Sequence, residues 1–169
     1  MAVIFICMAT SSWIQSSGGQ VAVSKIVLPT QNGQSLAATL FKPISATSDT
    51  PAPFVAVVPG FQRSREALSN IAIELSRRGF VVVSIDPYGQ GSSSSSMSIR
   101  SATYEGYGMF ALIDYVFETD NLNYVDKSRI GATGHSAGGN AAIRGAAYFG
   151  KEVLETDSAL SKLHSVYIS

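Results

Sequence analysis

The sequence predicts an α/β fold built on a doubly wound, mostly parallel sheet, and three observations carry the prediction. Strand-like apolar runs alternate along the chain with segments of helical spacing. Two of those runs, Phe54 to Val58 and Phe80 to Ile85, are uncharged throughout, as strands covered on both faces require. The segment between them has a helical stripe, which makes strand, helix, strand with a parallel crossover.

A chain of 169 residues, 46% apolar and 14% charged, can bury the core of one globular domain. Lys+Arg and Asp+Glu number 12 each, so no summed field favours nucleic acid, an anionic membrane surface or a polyanionic substrate. Cys7 is the single cysteine, which excludes an intrachain disulfide. With 2 histidines there is no Cys/His set at metal-ligand spacing, and neither a metal nor a cofactor is expected.

Residues 1–20 read as a leader, apolar from Ala2 to Ala9 and rich in Ser and Gly from Ser11 to Gly19. Eight apolar residues cannot cross a bilayer, and no Lys or Arg precedes Lys25 to open a secretory signal. Three readings stay open: the end of a longer anchor or signal, a strand or helix packed on the domain, or a frayed end. Membrane contact is expected only if residues 1–10 end an anchor, and an extracytoplasmic or anchored location is favoured over a cytoplasmic one.

Residues 21–169 read as one partial domain. Val21, Val23, Ile26 and Leu28 lead to Gln31-Asn32-Gly33, and Leu36 to Phe41 follows before Pro43, the pattern of a β-hairpin. After a polar linker, Phe54 to Val58 forms a strand ending at Pro59-Gly60. Ser64 is placed to cap a helix carrying Leu68, Ile71, Ala72 and Leu75, which Arg77, Arg78 and Gly79 close. Phe80 to Ile85 is the next strand, and the serine run from Ser92 to Ser96 reads as a low-complexity loop. Met109, Leu112, Ile113, Val116 and Phe117 mark a helix face, with Tyr104 and Tyr107 in its first turns. Arg129 to Thr133 is a short strand, Ala137 to Tyr148 a small-residue helix, Glu152 to Lys162 a further helix, and Leu163 to Ile168 a last strand.

Gly134-His135-Ser136-Ala137-Gly138 fits G-x-S-x-G, a strand-to-helix turn in which flanking glycines let a serine sit in strained backbone. The apolar strand before it and the Gly- and Ala-rich helix after it are the context the motif needs. Small residues at Gly138, Gly139, Ala141 and Ala142 let that helix approach the sheet closely. Ser136 is therefore the candidate nucleophile. The helix N-terminus directs free N–H groups at the space beside its oxygen, so the Ala137 N–H is one candidate oxyanion donor. Gly60 lets the chain turn at the end of an earlier strand and supplies the Phe61 N–H as the second.

Three separated segments, VVPGFQRS, GFVVVSIDPYGQGSSS and DKSRIGATGHSAGG, resemble α/β-hydrolases, and are most similar to dienelactone-hydrolase-like esterases and bacterial cutinase-type polyester hydrolases. The likeness spans Phe54 to about Gly145. Pro59-Gly60-Phe61 replaces the His-Gly of many relatives, and Ala137 stands where cutinase-type enzymes usually carry methionine, which counts against polyester activity. The resemblance implies a serine hydrolase of small-molecule carboxylic esters that works through an acyl-enzyme and needs no cofactor. It also implies a triad acid after the seventh strand and a histidine after the eighth, so a chain reaching a sixth strand is expected to be a truncated, nearly inactive part of the α/β-hydrolase fold. Asp157 and His164 come in the right order after Ser136 but in the wrong elements, Asp86 is expected to brace the fold, and His135 to pack structurally. A non-catalytic ligand- or partner-binding relative is the alternative. The oligomeric state is not legible.

Overall fold

The structure, a computed structural model, describes residues 2–30, 33–94, 106–155 and 165–168. Six strands form one sheet in the order β1 (Val21–Pro29), β2 (Ser35–Pro43), β4 (Val81–Ile85), β3 (Ala52–Val58), β5 (Val125–Gly134) and β6 (Ser165–Ile168). β2 runs antiparallel to both its neighbours, while β4, β3, β5 and β6 are mutually parallel. This is the mostly parallel sheet read from the sequence.

Alternation along the strands sorts side chains into two cores. Phe54, Ala56 and Val58 of β3, with Val81, Val83 and Ile85 of β4, join Leu36, Ala38 and Leu40 of β2 on one face. There they pack against Met109, Leu112, Ile113 and Val116 of α3 (Met109–Glu118) and Ala141 and Ala142 of α4 (Ala137–Glu155). Val57, Val82 and Phe41 turn to the other face and meet Ala72 of α2 (Ser69–Arg77). Helices on both faces make the sheet doubly wound.

Several elements differ from their sequence readings for local reasons. Ser64 opens a 3-10 turn, Arg65–Leu68, before α2 begins, and its hydroxyl makes no cap bond to the backbone. That hydroxyl instead bonds the Glu66 carboxyl and is the main cause of its lowered pKa. At the far end of α2 the expected left-handed exit is present, with Gly79 at φ 92 and the Phe80 N–H returning to Leu75 O. Tyr107 stands in a 3-10 turn at φ 57 ahead of α3, and Tyr104 lies outside the described residues. Of the helix expected over Glu152 to Lys162, the part to Glu155 is the continuation of α4, and residues 156–162 lie outside the described residues. Residues 92–94 of the serine run are tied to β2: Ser93 and Ser94 hydroxyls accept the Ala37 and Ser35 N–H groups at 2.9 and 2.8 Å.

Residues 2–15 form a helix, α1 (Ala2–Gln15), none of whose residues is buried. Val3, Phe5 and Trp13 are 71%, 69% and 66% exposed. A cleft of about 900 Å³ between α1 and the sheet is lined by Met8 and Ser12 of the helix and by Val23, Thr39 and Phe41 of the sheet. Among the described residues no helix is long and apolar enough to cross a membrane.

Candidate active site

β3 pairs with β4 on one side and with β5 on the other, so the loops after β3 and β5 leave the sheet side by side where the strand order reverses. In open α/β sheets that crevice, outside the carboxyl ends of the strands, is where ligands bind. Val58 and Gly134 are register partners at the two strand ends, and the His135 N–H continues the ladder to Val58 O at 3.3 Å. Pro59-Gly60-Phe61 and His135-Ser136-Ala137 consequently start level with one another.

The turn between β5 and α4 is only two residues long. Ser136 holds it with φ 55, a left-handed conformation that costs a non-glycine residue roughly 1–2 kcal/mol. The Gly138 N–H bonds His135 O at 3.0 Å and the Asn140 N–H bonds Ser136 O at 2.9 Å, so α4 is under way at once. Both glycines of the motif are dictated by crowding. A Cβ on Gly134 would lie 2.6 Å from Val58 O, and one on Gly138 would overlap that same carbonyl. The helix thus begins in direct contact with the end of β3, as its small residues allow.

Ser136 is exposed at the head of α4, and no backbone acceptor among the described residues takes the N–H of Phe61 or of Ala137. Gly60 brings the two loops together: a Cβ built on it would meet Ser136 Cβ at 3.4 Å and His135 Nδ1 at 3.3 Å. The Phe61 side chain is 67% exposed beside them. Backbone donors with free hydrogens next to an exposed hydroxyl, at the positive end of a helix, are an arrangement able to receive an oxyanion.

The remaining candidates separate clearly. Asp86 is 1% exposed and braces the fold, accepting the Arg65 N–H at 2.7 Å, the Arg65 guanidinium and the Ser92 N–H at 2.8 Å. His135 is exposed instead of packed, because the turn carries it past the end of β5, beyond both covering layers. Asp157 and His164 lie outside the described residues. Asp126, at the opposite end of β5, has a lowered pKa, chiefly through the Ser128 hydroxyl and then through Arg129, whose Nε lies at 2.6 Å. It is a turn former, remote from Ser136. No group of three or more His, Cys, Asp or Glu side chains among the described residues is placed to hold a metal ion.

Gln90 had no place in the sequence reading, yet its side-chain oxygen accepts the Arg63 N–H at 2.9 Å, reaching the loop that carries Phe61. Its partner is 27 positions away, so no local pattern announces the contact.

The model of the PETase family, described as PET hydrolase-like, matches residues 7–153. A bis(hydroxyethyl) terephthalate hydrolase of Streptomyces coelicolor is 28% identical over 109 residues, covering 64% of this chain and 32% of that protein. A hypothetical protein of Pseudomonas aeruginosa superposes with a TM-score of 0.66 at 22% identity, over 88% of this chain and 42% of its own. The α/β-hydrolase GrgF from Penicillium gives a TM-score of 0.66 at 20% identity, over 87% of this chain and 45% of its own. The chain spans less than half the length of each of these relatives. With the parallel sheet, the turn at Ser136 and the family match over residues 7–153 all in agreement, the chain belongs to the PET hydrolase-like family of α/β-hydrolases.

Proposed function

We propose that the complete protein hydrolyses carboxylic esters through an acyl-enzyme, with Ser136 as nucleophile and the Phe61 and Ala137 N–H groups holding the tetrahedral intermediate. The observation that carries this reading is the left-handed backbone of Ser136, exposed between β5 and α4 with Gly60 against it. Attack forms the bond from Ser136 Oγ to the acyl carbon, the alcohol leaves with a proton, and water then releases the acid. Loss of one oxyanion donor typically raises such a barrier by about 2.7–4 kcal/mol, so the two loops carry a large share of the catalysis. The named activity of the Streptomyces relative makes small esters of terephthalate the first substrates to try.

A serine hydroxyl is a weak nucleophile until a base takes its proton. His135 is the one histidine among the described residues, and in the α/β-hydrolases that the chain resembles the base follows a later strand. The reading therefore assigns the base to a segment outside the described residues. The test is hydrolysis of a short p-nitrophenyl ester by the complete protein and by its Ser136→Ala variant. Loss of about 10³-fold or more in kcat supports the reading, and undiminished turnover overturns it.

A further inference from the structure

The loop after β3 is clamped at two points by the loop after β4. Gln90 Oε1 accepts the Arg63 N–H at 2.9 Å, and Asp86 Oδ1 accepts the Arg65 N–H at 2.7 Å. The clamping loop is itself fixed, since the Ser93 hydroxyl donates to Asp86 O at 2.6 Å while accepting from Ala37 of β2. Gln90 is thus an acceptor mounted on a braced platform.

What it holds is a strained turn. Gly60 to Arg63 closes through an Arg63 N–H to Gly60 O bond of 3.2 Å, with Gln62 at φ 56 in its third position. That conformation is favoured in glycine and costs other residues energy, so the turn needs support from outside itself. Phe61, its second residue, gives little, because its side chain is 67% exposed. The Gln90 bond shares the same Arg63 hydrogen and is the shorter of the two. Asp86 holds the start of the 3-10 turn farther on, where Arg65 is buried, and leaves Phe61 free to swing.

We propose that Gln90 is a positioning residue for the oxyanion loop: by holding Arg63 it keeps the turn closed and the Phe61 N–H directed at Ser136. It acts through Arg63 and touches no substrate. The proposal rests on the ester-hydrolase reading of Ser136 and Phe61, and its test separates the two.

In the complete protein, Gln90→Met preserves length and volume but removes the acceptor. The expected result is a kcat reduced about tenfold to hundredfold by misplacement of the donor, with KM changed less than about twofold because ground-state binding is untouched. Amide exchange at Arg63 accelerates while Arg65 stays protected. Gln90→Glu, which retains an acceptor, recovers most of the exchange protection and of kcat. Wild-type kcat and exchange in Gln90→Met overturn the proposal, as does a Gln90→Glu variant as impaired as Gln90→Met. An active Ser136→Ala enzyme overturns the ester-hydrolase reading instead, and the exchange rate at Arg63 then still decides whether Gln90 holds the turn.

Discussion

Around Ser136 the backbone is set by what cannot fit. Gly138 abuts Val58 O, Gly134 faces the same carbonyl, and Gly60 lies against Ser136 Cβ, so three glycines each answer to a neighbour from another segment. The Asp86–Arg65 pair is the energetic counterpart of that crowding. Its carboxylate accepts from Arg65 twice and from Ser92 once, and a Cβ on Gly91 would collide with it. Removing Asp86 leaves the buried Arg65 with only the exposed Glu66 carboxylate at 3.4 Å as counter-charge, so Asp86→Ala is expected to destabilise the protein by about 3 kcal/mol. A urea titration against wild type measures this, and a midpoint within error of wild type would show the pair to be dispensable. Ser136, Gly134 and Gly138 were legible because a short motif names them, and Gly60 because it ends an apolar strand run. Gln90 was not, since an amide side chain declares no partner until folding brings one.

Elements were legible in existence and less so at their ends. The stripe of α3 named Met109, Leu112, Ile113, Val116 and Phe117; the first four are buried and Phe117 is half-buried. Its C-terminus, however, is closed from a distance, because the Lys127 ammonium donates to Phe117 O at 2.8 Å and to Thr119 O at 2.9 Å. A cation there also meets the negative end of the helix dipole. Lys127→Met should accordingly cost about 1 kcal/mol, seen as a lower unfolding midpoint with faster amide exchange in the last turn of α3. An unchanged exchange pattern would assign the helix end to packing alone. For α2, the Ser64 hydroxyl bonds Glu66 and leaves the backbone uncapped, and a 3-10 turn over Arg65–Leu68 precedes the helix start at Ser69.

Over the whole molecule the strand order places the candidate site. β5 lies beside β3, across from β4, and only this reversal sets Gly60 and Ser136 side by side. α1 stands outside this architecture, with no buried residue and a cleft beneath it. Deleting residues 2–19 should therefore shift unfolding stability by less than about 0.5 kcal/mol, and a larger loss in a urea titration would mean that α1 docks on the domain in solution. Alternation with period 2, helical stripes and glycine placement are properties of neighbouring residues, so they made the α/β class, the paired strands and the turn at Ser136 readable along the chain. Contacts between segments distant in sequence are decided by which atoms the folded sheet brings within reach. That is why the Gln90 clamp and the exposure of His135 emerged only with the tertiary structure, and why the nearness of Gly60 to Ser136, expected from the motifs, rests on the strand order.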